Sequence, residues 1–224
     1  MNVVEPYAIM LNDETIGAFT LTEGINKLRR VEYAARVSHR SEDSATSDSW
    51  EKFIRSVVVQ HGDWSVVEHE KVACEFLVDR GITHEIVRHR IGSYTQESTR
   101  FVNYMKKGGE AKFIQPNFEK CEQLDEWRYA CEVAEQAYMN LLRTGVTPQI
   151  ARGVLPNSLA SKIIVTYNLR SWRHFFIMRT SAQAHPQMRQ VCDPLLVRFK
   201  KCIPVLYEDL ESGQQQSEAM KAIR

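Results

Sequence analysis

From Lys71 to Asp79 apolar side chains fall on every second residue, Val72, Cys74, Phe76 and Val78. A period of two puts all four on one face of a strand, and a strand with one apolar face needs partner strands and a covering layer. Helical patterns supply that layer. Ile25 to Val37 repeats at helical spacing, Trp50 to Gln60 follows a polar loop at Ser41 to Ser49, and Leu124 to Thr144 reads as a long helix. Val4 to Leu11 is a second, short strand. Thr83 to Arg90 is expected to be helical and to lead into a loop, Ile91 to Arg100, with a turn at Gly108-Gly109. Thr147-Pro148 has the form of a helix start. A further helix is expected from Asn157 or Ser158 to about Arg179, and Asp193-Pro194 is expected to open the last one after the break at His185-Pro186. Segregated helices and strands give an α+β class, with a small antiparallel-type sheet and a mostly helical C-terminal half. At 224 residues without repeat or linker, the chain reads as a single domain, 1–224, in which 212–224 is a polar tail.

Composition argues against several partners. The formal net charge is +1, which argues weakly against a nucleic-acid polymer as the main partner. No apolar run reaches the roughly 18 residues needed to cross a membrane. The first ten residues carry no basic and apolar leader, so a cytoplasmic protein is expected. Five cysteines, never closer than ten residues, form neither a disulfide framework nor a Cys-x-x-Cys metal site, and reduced thiols are expected.

Against that neutral background, Arg88 to Arg100 is locally basic. It holds Arg88, His89, Arg90 and Arg100 together with Ser93, Thr95, Ser98 and Thr99. Arginine binds phosphate through a planar fork that stays protonated, so the cluster points to a pocket for a small anion; a solvated basic turn is the plain alternative. His84-Glu85 and His89 resemble a zinc-binding helix, but five residues turn a helix through roughly 500°, which leaves the two imidazoles about 140° apart. No glycine-rich nucleotide loop occurs. Cys192, near Arg189 and Asp193, reads as a buried thiol rather than a nucleophile. Glu68 and His69 are neighbours whose side chains diverge, so structural hydrogen bonds are expected of both. On a helix at about 100° per residue, Asn168, Trp172 and Arg179 share one face while Arg170 and His174 lie some 200° away. Such a helix either feeds two sites between subunits or is amphipathic with solvated arginines. Arg152, on a short helix before Leu155-Pro156, reads as surface.

In order, these pieces resemble the flavin-dependent thymidylate synthases. The family motif, Arg-His-Arg then seven residues and a Ser, is met by Arg88-His89-Arg90 and Ser98, with Arg100 two places on. Ser65 to His69, Thr83 to Val87, Ala151 to Pro156, Asn168 to Arg179 and His185 to Arg189 resemble family segments in the same order. The resemblance covers about residues 25 to 208. It implies a homotetramer with active sites shared between subunits and FAD bound where chains meet. It implies that Ser65, Arg88, His89, Arg90, Gln96, Asn168, Arg170 and His174 touch FAD. It places Glu85, Arg88, Gln96, Glu97, Ser98, Thr99, Arg100, Arg152 and Arg179 around dUMP, the phosphate held by backbone at Glu97 and Thr99 and by the Ser98 hydroxyl. Asp63, Glu85 and Gln96 stand where some members carry His, Gln and Glu. The implied reaction is reductive methylation of dUMP to dTMP, with 5,10-methylenetetrahydrofolate as carbon donor, NADPH reducing FAD, and Arg179 as the catalytic cation in place of a protein nucleophile. Two other readings stay open: a relative making another pyrimidine such as hydroxymethyl-dUMP, and, more remotely, an RNA-binding module using Arg88, Arg90 and Arg100.

Overall fold

A computed structural model describes residues 1–13, 17–106 and 110–213. The turn expected at Gly108-Gly109 and residues 214–224 of the expected tail lie outside the described residues. The elements in chain order are β1 (Asn2–Val4), β2 (Tyr7–Met10), α1 (Leu21–Val37) and α2 (Trp50–Phe53), which runs on as a π-helical stretch, Ile54–Gln60. Then come β3 (Lys71–Asp79), α3 (Arg80–Ile86), β4 (Ser93–Gln96), β5 (Lys112–Ile114), α4 (Cys121–Arg143) and α5 (Pro148–Ala151). The chain closes with β6 (Ala160–Asn168), α6 (Leu169–Arg179) and α7 (Pro186–Cys202). β1 and β5 pair in parallel, Asn2 opposite Lys112, Val3 opposite Phe113 and Val4 opposite Ile114. The other sheet is of antiparallel type, in the order β2-β3-β6-β4. The mixture of helices and a small sheet is the one the patterns predict.

Two compact units divide the chain. The first comprises Met1–Tyr7, Phe76–Arg88 and Thr95–Ile163; the second comprises Ala8–Glu75, His89–Tyr94 and the chain from Ile164 onward. In the first unit Ala111, Phe113, Cys131 and Leu159 form a buried cluster with Tyr104 and Trp127 packed on it. The Trp127 indole N–H donates to Ser158 Oγ at 2.9 Å, which satisfies its polar edge. Asp79 caps α3 by accepting the Ile82 amide at 2.7 Å.

The core of the second unit is aromatic. Trp172, Phe175 and Phe176 of α6 meet Phe199 of α7 and Tyr207 mostly edge to face, at centroid distances of 4.9–5.9 Å. α1 opens earlier than its apolar repeat suggests, because Thr20 and Glu23 form a reciprocal cap. Lys27 of α1 is buried and paired with Asp13 at 2.6 Å and Glu70 at 3.4 Å, while Arg30 holds the same Glu70 at 2.5 Å. Cys74, Cys131, Cys192 and Cys202 are buried and Cys121 is exposed; all five are free thiols.

Several expectations are corrected. The strand expected at Val4 to Leu11 is two strands, separated at Glu5-Pro6, where proline cannot donate to a ladder. α3 stops at Ile86, and β4 lies within the expected loop. The expected helix from Asn157 is β6 followed by α6: Ile163, Ile164, Val165 and Thr166 are β-branched and favour a strand. The helix starts only where Asn168 accepts the Ser171 amide at 2.7 Å. Pro194 lies inside α7, whose start is set by His185 as cap and Pro186 at the first turn. Ser212 and Gly213, expected in the tail, are buried, and the Gly213 amide donates to Thr180 O at 2.6 Å.

Within the second unit, α1 and the end of α7 approach so closely at Gly24 that an added Cβ would stand 1.7 Å from the Cys202 carbonyl oxygen. Gly24→Ala should therefore reverse the usual sign of a helical Gly→Ala change, destabilising by about 1–3 kcal/mol where propensity alone would favour it. Urea unfolding measures this, and a variant as stable as its parent would contradict the packing.

Candidate active site

In the first unit β4 delivers Gln96, and two hydroxyls orient it. Gln96 Nε2 donates to Thr83 Oγ1 at 2.9 Å and to Ser161 Oγ at 3.0 Å. Thr83 gives its own proton to Arg80 O at 2.8 Å, so towards Gln96 it can only accept. That fixes the amide: Gln96 presents its carbonyl oxygen, an acceptor, to whatever binds beside it. Thr83 and Ser161 are both buried.

The chain then runs through Glu97 into a tight turn, Ser98 to Phe101. The Glu97 amide donates to Lys162 O at 2.8 Å, and its carboxylate accepts from the Tyr104 hydroxyl at 2.8 Å. Burial first, then the Glu97 charge, pushes the Tyr104 phenol well above its usual range. Because the Glu97 amide is already bonded, it is not left for a phosphate. Ser98 O accepts the Phe101 and Val102 amides, and Ser98 Oγ accepts the Arg100 amide at 3.3 Å, which leaves the serine proton to donate. Arg152, expected on the surface, is exposed yet reaches Thr99 Oγ1 with Nη1 at 3.0 Å. Gln96 to Thr99 and Arg152 thus come together in one unit, while Glu85 and Arg88 sit at the end of α3, the Arg88 amide on Glu85 O at 3.2 Å.

In the second unit a cavity of about 270 Å³ is lined by His89, Arg90, Asn168, Arg170 and His174, all singled out from the sequence, together with Glu68, Ile91, Tyr167 and Ser171. Ser65 is exposed in the turn Trp64–His69 and is not part of this lining. The opposed faces expected of the helix do not apply to Asn168: it caps α6 rather than lying within it, and so shares one cavity with Arg170 and His174. Arg170 Nη1 bonds Glu68 Oε1 at 2.6 Å, the structural partner expected for Glu68.

His89 is the most constrained group. Its Nε2 accepts from Arg179 Nε at 2.7 Å, so the ring proton sits on Nδ1. The ring lies edge-on to Phe175 at 4.9 Å and to His174 at 5.9 Å. Burial, then the Arg179 charge and His174, lowers its pKa to about 4. A guanidinium beside a neutral imidazole is a compatible pair; beside an imidazolium it would repel.

The sequence did not reveal Thr83 and Ser161 as the pair that orients Gln96, nor Tyr94 and Tyr167, whose hydroxyls meet at 2.9 Å while Tyr94 also donates to the His89 carbonyl. Their only available signal was hydroxyl chemistry at separations of 13, 65 and 73 residues, which no spacing rule detects. Among the described residues no group of three or more His, Cys, Asp or Glu is placed to hold a metal, and no helix is long and apolar enough to cross a membrane.

The lowered His89 pKa has a pH consequence. An unfolded chain takes up that proton near pH 6.5 and the folded one only near pH 4, so stability present above pH 6.5 declines as pH falls through that window. In an NMR titration His89 should stay neutral to below pH 5. Arg179→Met should raise its pKa without restoring 6.5, because burial remains. A His89 imidazole titrating at 6.5 in the parent protein would overturn the pairing.

Residues 20–205 match the family model described as thymidylate synthase complementing protein. The flavin-dependent thymidylate synthase of Pyrococcus abyssi is 33% identical over 186 residues, which are 78% of this chain and 75% of that one. That of Saccharolobus solfataricus is 36% identical over 169 residues, 75% of this chain and 64% of its own length. Among solved structures, the UMP/dUMP methylase PolB from Streptomyces cacaoi bound with 5-Br dUMP superposes with a TM-score of 0.74 at 24% identity, covering 93% of this chain and 96% of that one. The flavin-dependent thymidylate synthase from Helicobacter pylori, complexed with FAD and dUMP, does so with a TM-score of 0.71 at 19% identity, covering 91% and 98%. At these identities the two superpositions establish a shared fold.

Proposed function

The chain belongs to the flavin-dependent thymidylate synthase family, and on that premise we propose that it converts dUMP to dTMP by reductive methylation. The carbon donor is 5,10-methylenetetrahydrofolate and the reductant NADPH, and the bound FAD supplies the hydride. The observation that carries this reading is the cavity of the second unit, where a neutral, Arg179-tethered His89 stands with Arg90, Asn168 and Arg170.

The lining fits a flavin nucleotide. Arg90 and Arg170 suit a pyrophosphate or an electron-rich ring edge, and the carboxylate of Glu68 is offset by its bond to Arg170. Asn168 uses Oδ1 to cap α6, which leaves its amide N–H₂ as a donor. At about 270 Å³ the cavity falls just short of the roughly 300–1,000 Å³ that encloses a drug-sized ligand. A dinucleotide would extend beyond it, which agrees with a homotetramer whose sites are completed by neighbouring subunits. Ser65, Arg88, His89, Arg90, Gln96, Asn168, Arg170 and His174 are assigned to FAD on this reading.

Glu85, Arg88, Gln96, Glu97, Ser98, Thr99, Arg100, Arg152 and Arg179 are assigned to dUMP; in an assembly with shared sites they need not all come from one chain. Ser98 donates its hydroxyl, Arg100 and Arg152 supply charge, and Gln96 offers its fixed carbonyl to a donor of the nucleotide. The backbone role at the phosphate falls to Thr99, since the Glu97 amide is bonded elsewhere. Arg179 acts electrostatically: a guanidinium keeps its proton at neutral pH, so it stabilises negative charge on the uracil ring rather than removing a proton. The whole chain works as one catalytic domain in the cytoplasm.

The purified protein should show a flavin band, or acquire one on adding FAD, and the band should bleach with NADPH and dUMP without oxygen. A chain that takes up no FAD would sink the reading, and a product with the mass of hydroxymethyl-dUMP would replace dTMP by the other pyrimidine. Arg179→Lys keeps the charge and loses the fork. It should retain flavin and lose about a hundredfold or more in turnover, on the order of 3 kcal/mol. Near-parental turnover would remove Arg179 from the mechanism.

A further inference from the structure

We propose that Tyr94 and Tyr167 are positioning residues that hold the His89-Arg90 turn in the shape that receives the flavin, with Gly92 providing the close approach this requires. The proposal rests on the flavin reading of the cavity and assigns work to residues that never need to touch the reacting atoms.

The turn is fastened at three points, all within the second unit. Tyr94 Oη donates to the backbone carbonyl of His89, closing the segment between them into a loop. That uses the one proton Tyr94 has. The 2.9 Å contact between the two phenols therefore runs from Tyr167 to Tyr94, a directed relay from the core to the turn. At the middle of the loop the backbone of Gly92 lies against the Tyr167 ring: a Cβ there would stand 2.2 and 2.4 Å from two ring carbons. Only glycine fits, and the contact sets the height of the loop over the ring.

Tyr167 is a firm base for this. It is buried at the end of β6, 4.7 Å from Trp172 and 5.8 Å from Phe175 between ring centroids. Burial, and then its bond to Tyr94, raises the phenol far above the range in which it would ionise, so the relay keeps its proton at any working pH. The side chains fixed by the turn line the cavity: His89, which also rests on Phe175, and Arg90, which is exposed. A long cation on a loose loop loses conformational freedom when it engages a ligand; on a fastened loop much of that loss precedes binding.

The test compares FAD affinity, followed by flavin fluorescence, with thermal stability in Tyr94→Phe, Tyr167→Phe, the double variant and Gly92→Ala. Tyr94→Phe keeps the ring and removes the carbonyl bond. It is expected to bind FAD about fivefold to tenfold more weakly, with a less resolved flavin visible band and a melting temperature within a few degrees of the parent. Because one relay is involved, the double variant should bind no more weakly than Tyr94→Phe alone. Gly92→Ala should weaken FAD binding at least as much. If the parent protein binds FAD and Tyr94→Phe binds it with the same affinity and the same band shape, the positioning role is overturned. Additive losses in the double variant, accompanied by falling melting temperature, would also overturn it by showing general loosening. A parent protein that binds no FAD would instead count against the proposed function.

Discussion

The indole N–H of Trp172 donates to the carbonyl of Val72 at 2.9 Å, and both groups lie where no solvent can replace the bond. A buried donor left without a partner costs about 1–3 kcal/mol, so this bond fixes how α6 meets the start of β3. Once Trp172 is placed, Phe175 and Phe176 follow on the inward face, and Arg170 and His174 are left on the outward one. The Tyr207 hydroxyl, donating to Leu169 O at 2.9 Å, secures the first turn of the same helix. The polar lining of the cavity is thus set by apolar packing beneath it.

The electrostatics follow the same logic at shorter range. The chain is nearly neutral, and several of its cations are held for structure. Lys27 and Arg30 share Glu70, and Arg173 is bonded to Asp209 and to Leu206 O; these are ties within the second unit. Arg90 and Arg100, by contrast, are exposed. Arg179 has one structural tie, since its Nε holds His89 in one tautomer, and the proposed function gives it a second role at the substrate. In the first unit neutral groups do comparable work, with Thr83 and Ser161 deciding which end of the Gln96 amide is left to accept.

Much of this was legible in the sequence where period and chemistry agree. β3 emerged with its full extent, Lys71–Asp79, because alternation over nine residues has only one reading. His89, Arg90, Asn168, Arg170 and His174 were singled out by their chemistry and spacing, and they line one cavity. β6 was misread for a physical reason: Ile163, Ile164 and Val165 are consecutive apolar residues, so the alternating burial of the strand does not show as alternating polarity in the sequence. Pro194 was misread because a proline can open a helix or bend one, and only the cap at His185 decides. The Gln96 clamp and the tyrosine relay were illegible because each joins residues from distant segments through hydroxyls, and hydroxyls are common everywhere.

Four of the five cysteines are closed off in the cores of the units, and only Cys121, at the first turn of α4, is exposed. The thiols therefore form a built-in reporter of folding. A native chain offers one sulfur to an alkylating reagent, and each loss of core packing uncovers others: Cys131 when the first unit opens, and Cys74, Cys192 and Cys202 when the second does. Which thiol is labelled identifies which unit has come apart.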